Sequence, residues 1–412
     1  MSNPVRDKGA AKPASLLAGV RVLDLTNVLS GPYATYQLAM LGAEVIKIEN
    51  PGEGDLARKL GASVDLNAQL MGTSFLAQNA GKKSVTIDLK HPDGKPLFAA
   101  LLATADVIIE NFRPGVMDRL GFGYEACRLI NPAIIYCAIS GFGQDGPLRA
   151  NPAYDQIVQG MSGVMSITGD AATAPLRVGY PLCDTLGGMA AAFAIASALF
   201  GRTASGEGSF IDLSMLDTTV SAMGWAVSNY LIAGVEAKPI GNQNMTAAPS
   251  GSFTCSDGQI NIAANKQDQF ERLCELIGRA DLATDPRFAE REARKANREA
   301  INAEVNAALS VRPAAEWEML FNANGVPAGR ILSVPEVLAH PQIAARELVH
   351  EIAMDGTALS SVKVVRAGFR LRDSRPGAQS APPRLGADNA AILGALGIDE
   401  AELVALKARG AI

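Results

Sequence analysis

The sequence predicts an α/β fold with a large domain built on a parallel sheet and a smaller α+β domain joined to it by long linkers. Three observations support this prediction. Apolar strand-like runs alternate with helix-like segments over the first half of the chain. The composition changes after residue 233, and 412 residues exceed what one ordinary core accommodates. A content of 48% hydrophobic and 19% charged residues is typical of a chain that folds compactly.

The predicted strands of the large domain are continuous apolar runs rather than alternating ones. Such runs are typical of strands covered on both faces, and intervening helices of about a dozen residues imply parallel pairing. Helices are predicted to begin at Pro32 and after Asp184, and to cover Pro92–Ala103 and Leu216–Leu231. In chain order, the predicted strands are Val20–Leu25, Ala43–Glu49, Ser84–Leu89, Ala105–Asn111, Ala133–Ser140 and Ser209–Met215.

The second half of the chain predicts a different organisation. Gly234–Ser252 is rich in Gly, Pro and Asn and indicates a linker, Ser252–Ala264 is typical of a hairpin, and Gln267–Ala323 is helical and more charged. From Asn324 the chain is expected to return through loops and end in a helix over Asp399–Lys407. The predicted parts are a flexible tail (1–15), the first part of the large domain (16–233), a linker and small domain (234–330), and a return linker with the last part of the large domain (331–412).

Bulk properties disfavour several classes of protein. A formal net charge of −5 argues against nucleic acid as the main partner. The longest strongly apolar run, Met189–Phe200, is too short to span a bilayer, so no membrane partner is predicted. The N-terminus lacks the apolar segment of a signal peptide. The cysteines show no metal-ligand spacing, which favours reduced thiols in a cytoplasmic protein without a metal site: Cys127, Cys137, Cys183, Cys255 and Cys274.

The carboxyl ends of the predicted strands carry polar residues. Ligands of parallel sheets bind at these ends. One end carries GFGQDG (Gly141–Gly146), which has the spacing of a dinucleotide-binding loop, but Pro147 and Pro152 interrupt the helix that such a loop must feed. A mobile glycine loop that lines a ligand site is the favoured interpretation. The residues at the strand ends are Asn27, Glu49, Lys90, Asn111 and Gly141.

The histidines do not predict a hydrolase. His91 and His340 lie in turn sequences, and no His-x-x-His pair occurs. No G-x-S-x-G element is present either. Zinc hydrolysis and Ser-His catalysis are therefore disfavoured.

The segment RVGYPLCDTLGGMAAAF (Arg177–Phe193) carries Asp184 before an apolar helix, followed by Gly187 and Gly188. One interpretation is a helix N-cap. The other is a nucleophile, because a helix N-terminus keeps a carboxylate ionised and its amides stabilise negative charge on an attacked carbonyl. The glycines would admit a bulky ligand to the backbone. A carboxylate that attacks a thioester has these needs, and the residues alone leave both interpretations open.

A set of segments, in order, resembles one family from Leu16 to the C-terminus. The chain resembles the class III CoA-transferases, which include formyl-CoA and carnitine CoA-transferases and the related α-methylacyl-CoA racemases. The matching segments are LAGVRVLDLTNVLSGPYATYQLAMLGAEVIKIENPGEGD, KKSVTIDLK, ADVIIENFRPGVMDRLGFGYE, ISGFGQDGP, AYDQIVQGMSGVMSITG, DTLGGMAAAFAIASAL and GVPAGRILSVPEVLAHPQ.

The resemblance implies a fold and an activity. Asp184 takes the place of the family's catalytic aspartate, which passes CoA from an acyl-CoA to a carboxylic acid through a mixed anhydride and an aspartyl-CoA thioester. The family forms homodimers in which two open rings thread through each other, and CoA binds to a large Rossmann-like domain. CoA is thus the expected ligand, as substrate and product, without a metal.

The resemblance also implies site residues. Lys90, Arg113 and Arg119 are candidates for contacts with the CoA phosphates. For the acid, a small dicarboxylic or hydroxy acid with succinyl-CoA as donor is expected, and Arg58 and Arg177 are candidate cations, with Gly141, Gly187 and Gly188 beside the substrate. The implied CoA contacts are Leu29, Ser30, Asn50, Ile87, Lys90, Asn111, Phe112, Arg113, Arg119, Asn151, Tyr154 and Asp155.

Four departures from the family narrow the expectation. Formyl-CoA transferase carries glutamine at the position of Leu29, arginine at that of Asn50, and a glycine run that Gly241–Gly251 lacks. Oxalate is therefore disfavoured as the acceptor. The racemases use histidine at the position of Tyr154, and without it a two-base α-proton exchange loses a partner. Transfer is favoured, and racemisation is the alternative.

Overall fold

The computed structural model describes residues 15–355 and 359–412. The predicted flexible tail, except Ser15, lies outside the described residues. Among the latter, the chain divides into two compact units. The first contains the residues up to Val164, Arg177–Val235 and Gln342–Ile412, and the second contains Met165–Leu176 and Glu236–Pro341. The domain bounds given above from the sequence stay a prediction.

In the described part of the chain, the strands form three sheets. A six-stranded parallel sheet has the order β3-β2-β1-β4-β5-β6, β7-β8-β9 form an antiparallel sheet, and β10-β11 form an antiparallel pair. The first is the order of a doubly wound fold, so the predicted parallel sheet is confirmed. The strands are β1 Arg21–Asp24, β2 Glu44–Glu49, β3 Lys83–Thr86, β4 Val107–Glu110, β5 Ile135–Ser140, β6 Ser209–Ser214, β7 Ser250–Thr254, β8 Gln259–Ala263, β9 Ala328–Arg330, β10 Val349–Ala353 and β11 Ser361–Val365.

The helices follow the predicted alternation over the first half of the chain. Two short 3₁₀ helices, Leu56–Lys59 and Val164–Ile167, accompany them. The α-helices are α1 Ser30–Met40, α2 Val64–Ala68, α3 Thr73–Asn79, α4 Gly94–Leu102, α5 Val116–Leu120, α6 Tyr124–Ile130, α7 Asp155–Met161, α8 Leu182–Ser205, α9 Met215–Ala222, α10 Trp225–Ala233, α11 Gln267–Leu276, α12 Asp281–Thr284, α13 Arg291–Ala296, α14 Arg298–Leu309, α15 Ala314–Ala323, α16 Val334–Ala339, α17 Pro341–Ala345, α18 Asn389–Gly394 and α19 Glu400–Ala408.

The apolar strands of the first unit have a buried residue on each face. In β1, Val22 belongs to a core with α1 and α8, whereas Leu23 belongs to a core with α4, α18 and α19. Both side chains are fully buried. Neighbouring strands repeat this division, since successive side chains point to opposite faces. Burial on both faces explains why these strands read as continuous apolar runs.

The structure differs from the sequence prediction in two connections. The single helix predicted over Leu216–Leu231 is two helices, α9 and α10, because Gly224 takes a φ of +52° between them. The return from Asn324, predicted as loops, contains β9, α16 and α17. β9 pairs with β8 and completes the small antiparallel sheet. A strand of three residues is too short to give a recognisable pattern in the sequence.

The long helix α8 lies against α1 and the β5–β6 edge of the sheet. By length and composition alone, this helix of 24 residues is long and apolar enough to cross a membrane. Cys183, Ala191 and Ile195 are buried in the core of the first unit, so one face of α8 is that of a core helix. The N-terminal turn of α8 begins the candidate site.

Candidate active site

A cavity of about 380 Å³ lies at the carboxyl ends of β1, β4 and β5. β1 and β4 are neighbours in the sheet although three connections separate them, so their ends mark the point where the strand order reverses. Asn27 and Asn111 join these ends: the Asn111 amide accepts from the Asn27 backbone N–H and donates to the Asn27 carbonyl, both at 2.8 Å. The cavity thus lies where doubly wound folds bind ligands.

Asp184 lines this cavity from the first turn of α8. The sequence placed it before the helix, but Pro181 is the N-cap and Asp184 is the third helical residue. Its side chain is half-buried. Within residues 15–355 and 359–412, its carboxylate forms no hydrogen bond or ion pair. The N-cap interpretation is therefore wrong, and the group is free to react.

Asp155 performs the capping role across two helices. Its Oδ1 accepts hydrogen bonds from the backbone N–H groups of Cys183 at 2.8 Å and Asp184 at 3.4 Å. Gln159 holds Asp155 by donating to its Oδ2 at 2.7 Å, and accepts from the Val178 N–H at 2.9 Å. Asp155, an implied CoA contact, is buried and occupied by the start of α8.

Burial, and next the negative charge of Asp155, raise the pKa of Asp184 to about 7. The sequence led us to expect that the helix N-terminus would keep this carboxylate ionised. That expectation did not include Asp155, which takes up two of the amides and adds a charge of the same sign. Asp184 therefore titrates near neutral pH.

The paired glycines have a packing role. A Cβ on Gly187 would lie 3.0 Å from the Ser30 Oγ, and a Cβ on Gly188 would lie 2.5 Å from the Ser30 carbonyl oxygen. Both glycines are buried. They allow α8 to approach α1 closely, so the expectation that they admit a ligand to the backbone is wrong.

Residues implied as CoA contacts line two cavities of the first unit. The cavity beside Asp184 is lined by the implied contacts that follow β1 and β4, which are Leu29, Ser30, Asn111, Phe112 and Arg113. Gly141, Asn151 and Tyr154 line the same cavity. A second cavity of about 520 Å³ is lined by four more, which are Asn50, Ile87, Lys90 and Arg119, whereas Asp155 lines neither cavity. Asn27 and Phe112 line both cavities, which therefore adjoin.

The two predicted acid-binding cations lie elsewhere. Arg58 is fully buried and forms a double ion pair with Glu49, Nε to Oε1 and Nη2 to Oε2, each at 2.7 Å. It cannot turn to an acid without leaving a buried charge unpaired. Arg177 is exposed, lines neither cavity, and donates to the Val178 carbonyl. Arg58 is thus a structural residue, which corrects the prediction.

Sequence reasoning missed Arg149. It lines the cavity beside Asp184 from the loop that follows β5, and in the described part of the chain its guanidinium has no ion-pair partner. The signal was available, because Arg149 follows the glycine loop at a strand's carboxyl end. No group of three or more His, Cys, Asp or Glu side chains that could hold a metal occurs among the described residues.

The first unit thus has a doubly wound sheet with the Asp184 carboxylate in a cavity at its switch point, beside a second cavity lined by Lys90 and Arg119, which is the arrangement of a ligand-binding α/β protein. The comparison with protein families makes this specific. The chain belongs to CoA-transferase family III, whose profile matches residues 17–389.

Named relatives agree with this assignment. The chain is 43% identical to acetyl-CoA:oxalate CoA-transferase of Acetobacter aceti, over 93% of this chain and 96% of the relative. It is 38% identical to succinate–glutarate CoA-transferase of Agrobacterium fabrum, over 92% and 95%. A CAIB/BAIF family protein from Brucella suis has a similar structure, with a TM-score of 0.82 at 35% identity, over 93% of this chain and all of that one. The protein is therefore a CoA-transferase.

Proposed function

We propose that this enzyme passes CoA from an acyl-CoA donor to a carboxylic acid through covalent intermediates on Asp184. The observation that carries the proposal is a half-buried carboxylate without a partner among the described residues, in a cavity that adjoins a larger one. Its pKa of about 7 leaves roughly half of it ionised at neutral pH, and a more basic carboxylate is a stronger nucleophile.

The reaction divides into two attacks and their reverse. An Asp184 carboxylate oxygen attacks the thioester carbonyl, and the C–S bond breaks. CoA leaves as a thiolate, and the acyl group stays on Asp184 as a mixed anhydride. The thiolate attacks the Asp184 carbonyl of that anhydride, and the donor acid leaves as a carboxylate. The acceptor carboxylate attacks the resulting aspartyl-CoA thioester, and the same steps in reverse order pass CoA to the acceptor and restore Asp184.

The second cavity suits the nucleotide part of CoA. Its wall combines the apolar Ile87 and Leu89 with the cations Lys90 and Arg119, which match an adenine and phosphates respectively. The chain from pantetheine to thioester would then pass Phe112, which lines both cavities. This arrangement supports the CoA contacts that the resemblance implied.

We further propose a small dicarboxylic acid as acceptor, with succinyl-CoA as the donor to try first. Arg149 and Arg113 line the cavity of Asp184, and one of them can pair with the carboxylate that does not react. Relatives are named for oxalate, glutarate, succinate and D-citramalate, which are dicarboxylic acids, whereas another is named a probable fatty acyl-CoA transferase. Oxalate, which the sequence departures disfavour, is therefore included in the test.

Racemisation is the weaker alternative. A two-base proton exchange needs an acid and a base on opposite sides of the α-carbon. Tyr154 takes the position of the racemase histidine, and no described residue that lines either cavity is a histidine. The cavity beside Asp184 therefore lacks the second base.

An exposed apolar face supports a homodimer, interlocked as in the resembled family. On α8 and α10, five large apolar side chains are each at least 76% exposed: Phe193, Phe200, Trp225, Leu231 and Ile232. Large apolar side chains exposed to this extent support an interface on these helices. We propose a cytoplasmic homodimer, and light scattering should give twice the chain mass.

A donor and acceptor panel tests the function. The enzyme is incubated with acetyl-CoA or succinyl-CoA and with oxalate, glutarate, D-citramalate or monocarboxylic acids, and new thioesters are measured by mass spectrometry. We expect new dicarboxyl-CoA products, together with hydroxylamine-trapped label on the peptide that contains Asp184. Deuterium uptake at the α-carbon without an acceptor would favour racemisation. Full transfer by Asp184→Ala would refute the mechanism.

A further inference from the structure

Val28 has an unusual backbone conformation at the edge of the active-site cavity. Its φ is +67°, a left-handed value that a β-branched residue adopts only when its surroundings impose it. Val28, Leu29 and Ser30 all line the cavity of Asp184. The turn at Val28 connects β1 to α1 and determines where α1 begins.

Asp55 is the side chain that holds this turn. Its Oδ1 accepts the Val28 backbone N–H at 2.9 Å and also the Ala57 N–H at 2.9 Å. Asp55 is itself 1% exposed, and its backbone N–H donates to the Glu49 Oε1 at 2.9 Å. The acceptor for Val28 is therefore fixed from several directions.

Lys47 completes the support. Its Nζ lies 3.0 Å from the Asp55 Oδ2 and donates to the Thr26 carbonyl at 2.6 Å. Burial acts to lower the pKa of Lys47, but Asp24, Asp55 and Glu49 outweigh it and raise the pKa. The charged Lys47 thus connects Asp55 to Thr26, two residues before the strained position.

We propose that Asp55 is a positioning residue for CoA transfer: it holds Val28 left-handed and thereby sets Leu29 and Ser30 in the wall of the Asp184 cavity. The inference rests on the proposed function, because the reaction that it positions is attack by Asp184. Asp55 lines neither cavity and acts through the backbone of Val28.

The turn at Val28 matters because it leads directly into α1. This helix begins at Ser30, and the Leu29 side chain does not cap it. In the described residues the N–H groups of Ser30 and Gly31 have no acceptor, so the positive end of α1 stays unsatisfied where Ser30 lines the cavity. If Val28 relaxed to an extended conformation, this end would move relative to Asp184.

The test combines two substitutions. Asp55→Ala removes the acceptor, and Val28→Gly removes the steric cost of the left-handed conformation. The readout is the single-turnover rate of aspartyl-CoA thioester formation on Asp184, measured by mass spectrometry. We expect Asp55→Ala to be about 100-fold slower than the wild type, since small displacements have effects of that size. Val28→Gly alone is the reference for the double variant, because it reports any effect of removing the Val28 side chain from the cavity wall.

The double variant decides the result. If Asp55 acts by holding Val28, Asp55→Ala/Val28→Gly should recover about tenfold of the lost rate, because glycine adopts the conformation without support. A double variant no faster than Asp55→Ala overturns the proposal, as does a wild-type rate in Asp55→Ala. If Asp55→Ala does not fold, Asp55→Asn with and without Val28→Gly replaces it, with the same two readings.

A matched control separates positioning from general stability. Asp106 also accepts a backbone N–H, that of Arg21 at 2.8 Å, and pairs with Arg202 at 2.6 Å, but it lies at the other end of β4. Asp106→Ala should lose stability, keep the single-turnover rate, and gain nothing from Val28→Gly. A wild-type enzyme that forms no thioester on Asp184 would refute the proposed function instead.

Discussion

Two charged regions of the first unit contain the same residue types in opposite settings. One is the Asp184 cavity, where Asp184 and Arg149 have no ion-pair partners among the described residues. The other is the buried charge network, in which every charge has a partner and each side chain belongs to a residue at most 4% exposed: Asp24, Lys47, Glu49, Asp55, Arg58 and Lys82.

The difference shows that ionic and hydrogen-bonding partners can together reverse the effect of burial on the pKa of a carboxylate. Burial acts to raise the pKa of Asp24, but Lys47 and Lys82, with hydroxyls of Thr26 and Thr35, outweigh it and lower the pKa. Among residues 15–355 and 359–412 no cation opposes burial at Asp184, so its pKa rises to about 7. Each charge of the network has a partner that a substitution would remove, whereas the Asp184 carboxylate has none among the described residues.

The substitution Asp184→Asn should distinguish the two regions most clearly, because it affects CoA transfer without lowering stability. Because an amide is not a nucleophile, we expect CoA transfer to fall at least about 1,000-fold. Stability should stay unchanged or rise, since the native carboxylate has no partner to lose. Steady-state transfer and urea unfolding measure the two effects. If Asp184→Asn lost stability but kept CoA transfer, Asp184 would be a structural residue and the proposed difference between the two regions would be wrong.

In the buried network, Asp24→Asn should have the reverse effect. Asp24 contacts the Lys82 Nζ at 3.0 Å and lies 3.9 Å from that of Lys47, and removing its charge leaves both cations under-compensated. We expect the free energy of unfolding to fall by about 3 kcal/mol. Since the native pKa is lowered, the wild type has this stability above the ordinary aspartate pKa of about 4 and loses it in acid, so the variants should converge at low pH.

The control for Asp24 is Glu125→Gln, which breaks an exposed pair with Arg128 at 4.0 Å. Such a pair contributes little, so urea unfolding should not detect the change. Equal losses in both variants would mean that burial of the network has no energetic consequence.

The fold was predictable because its signals are local. Apolar runs located the strands, and their continuity indicated helices on both faces, as Val22 and Leu23 confirm. The helix that carries Asp184 was also visible in the sequence. What the sequence could not indicate was which groups meet across it.

The errors concern residues whose partners lie far along the chain or across packed helices. Asp155 caps α8 from 28 positions away, so neither its role nor its effect on Asp184 has a local pattern. Gly187 and Gly188 resemble a ligand site until α1 is packed against them. Arg58 resembles a cation that binds the acid until the fold pairs it with Glu49.

The pH profile of the enzyme tests whether Asp184 titrates as its surroundings require. The carboxylate is the reactive form, so kcat/KM should fall about tenfold per pH unit below a midpoint near 7 and be flat above it. Asp155→Asn removes the nearby negative charge, which lowers the pKa of Asp184 and moves the midpoint to lower pH. A flat profile from about pH 5.5 to about pH 8, or an upward shift in the variant, would contradict this assignment.

Substitutions of Arg149 and Arg58 should give the smallest effects, and that of Arg149 should be specific to the KM for a dicarboxylic acceptor. Arg149→Gln removes a free cation from the cavity, and we expect KM for a dicarboxylic acceptor to rise about tenfold, with little change for a monocarboxylic acid of equal length or for the acyl-CoA. Arg58→Gln breaks the ion pair with Glu49, so it should reduce stability without changing the ratio between the two acids. If Arg149→Gln raised KM for acyl-CoA instead, Arg149 would contact CoA. If Arg58→Gln changed the ratio of the KM values for the two acids, the distinction between a structural Arg58 and a substrate-binding Arg149 would be wrong.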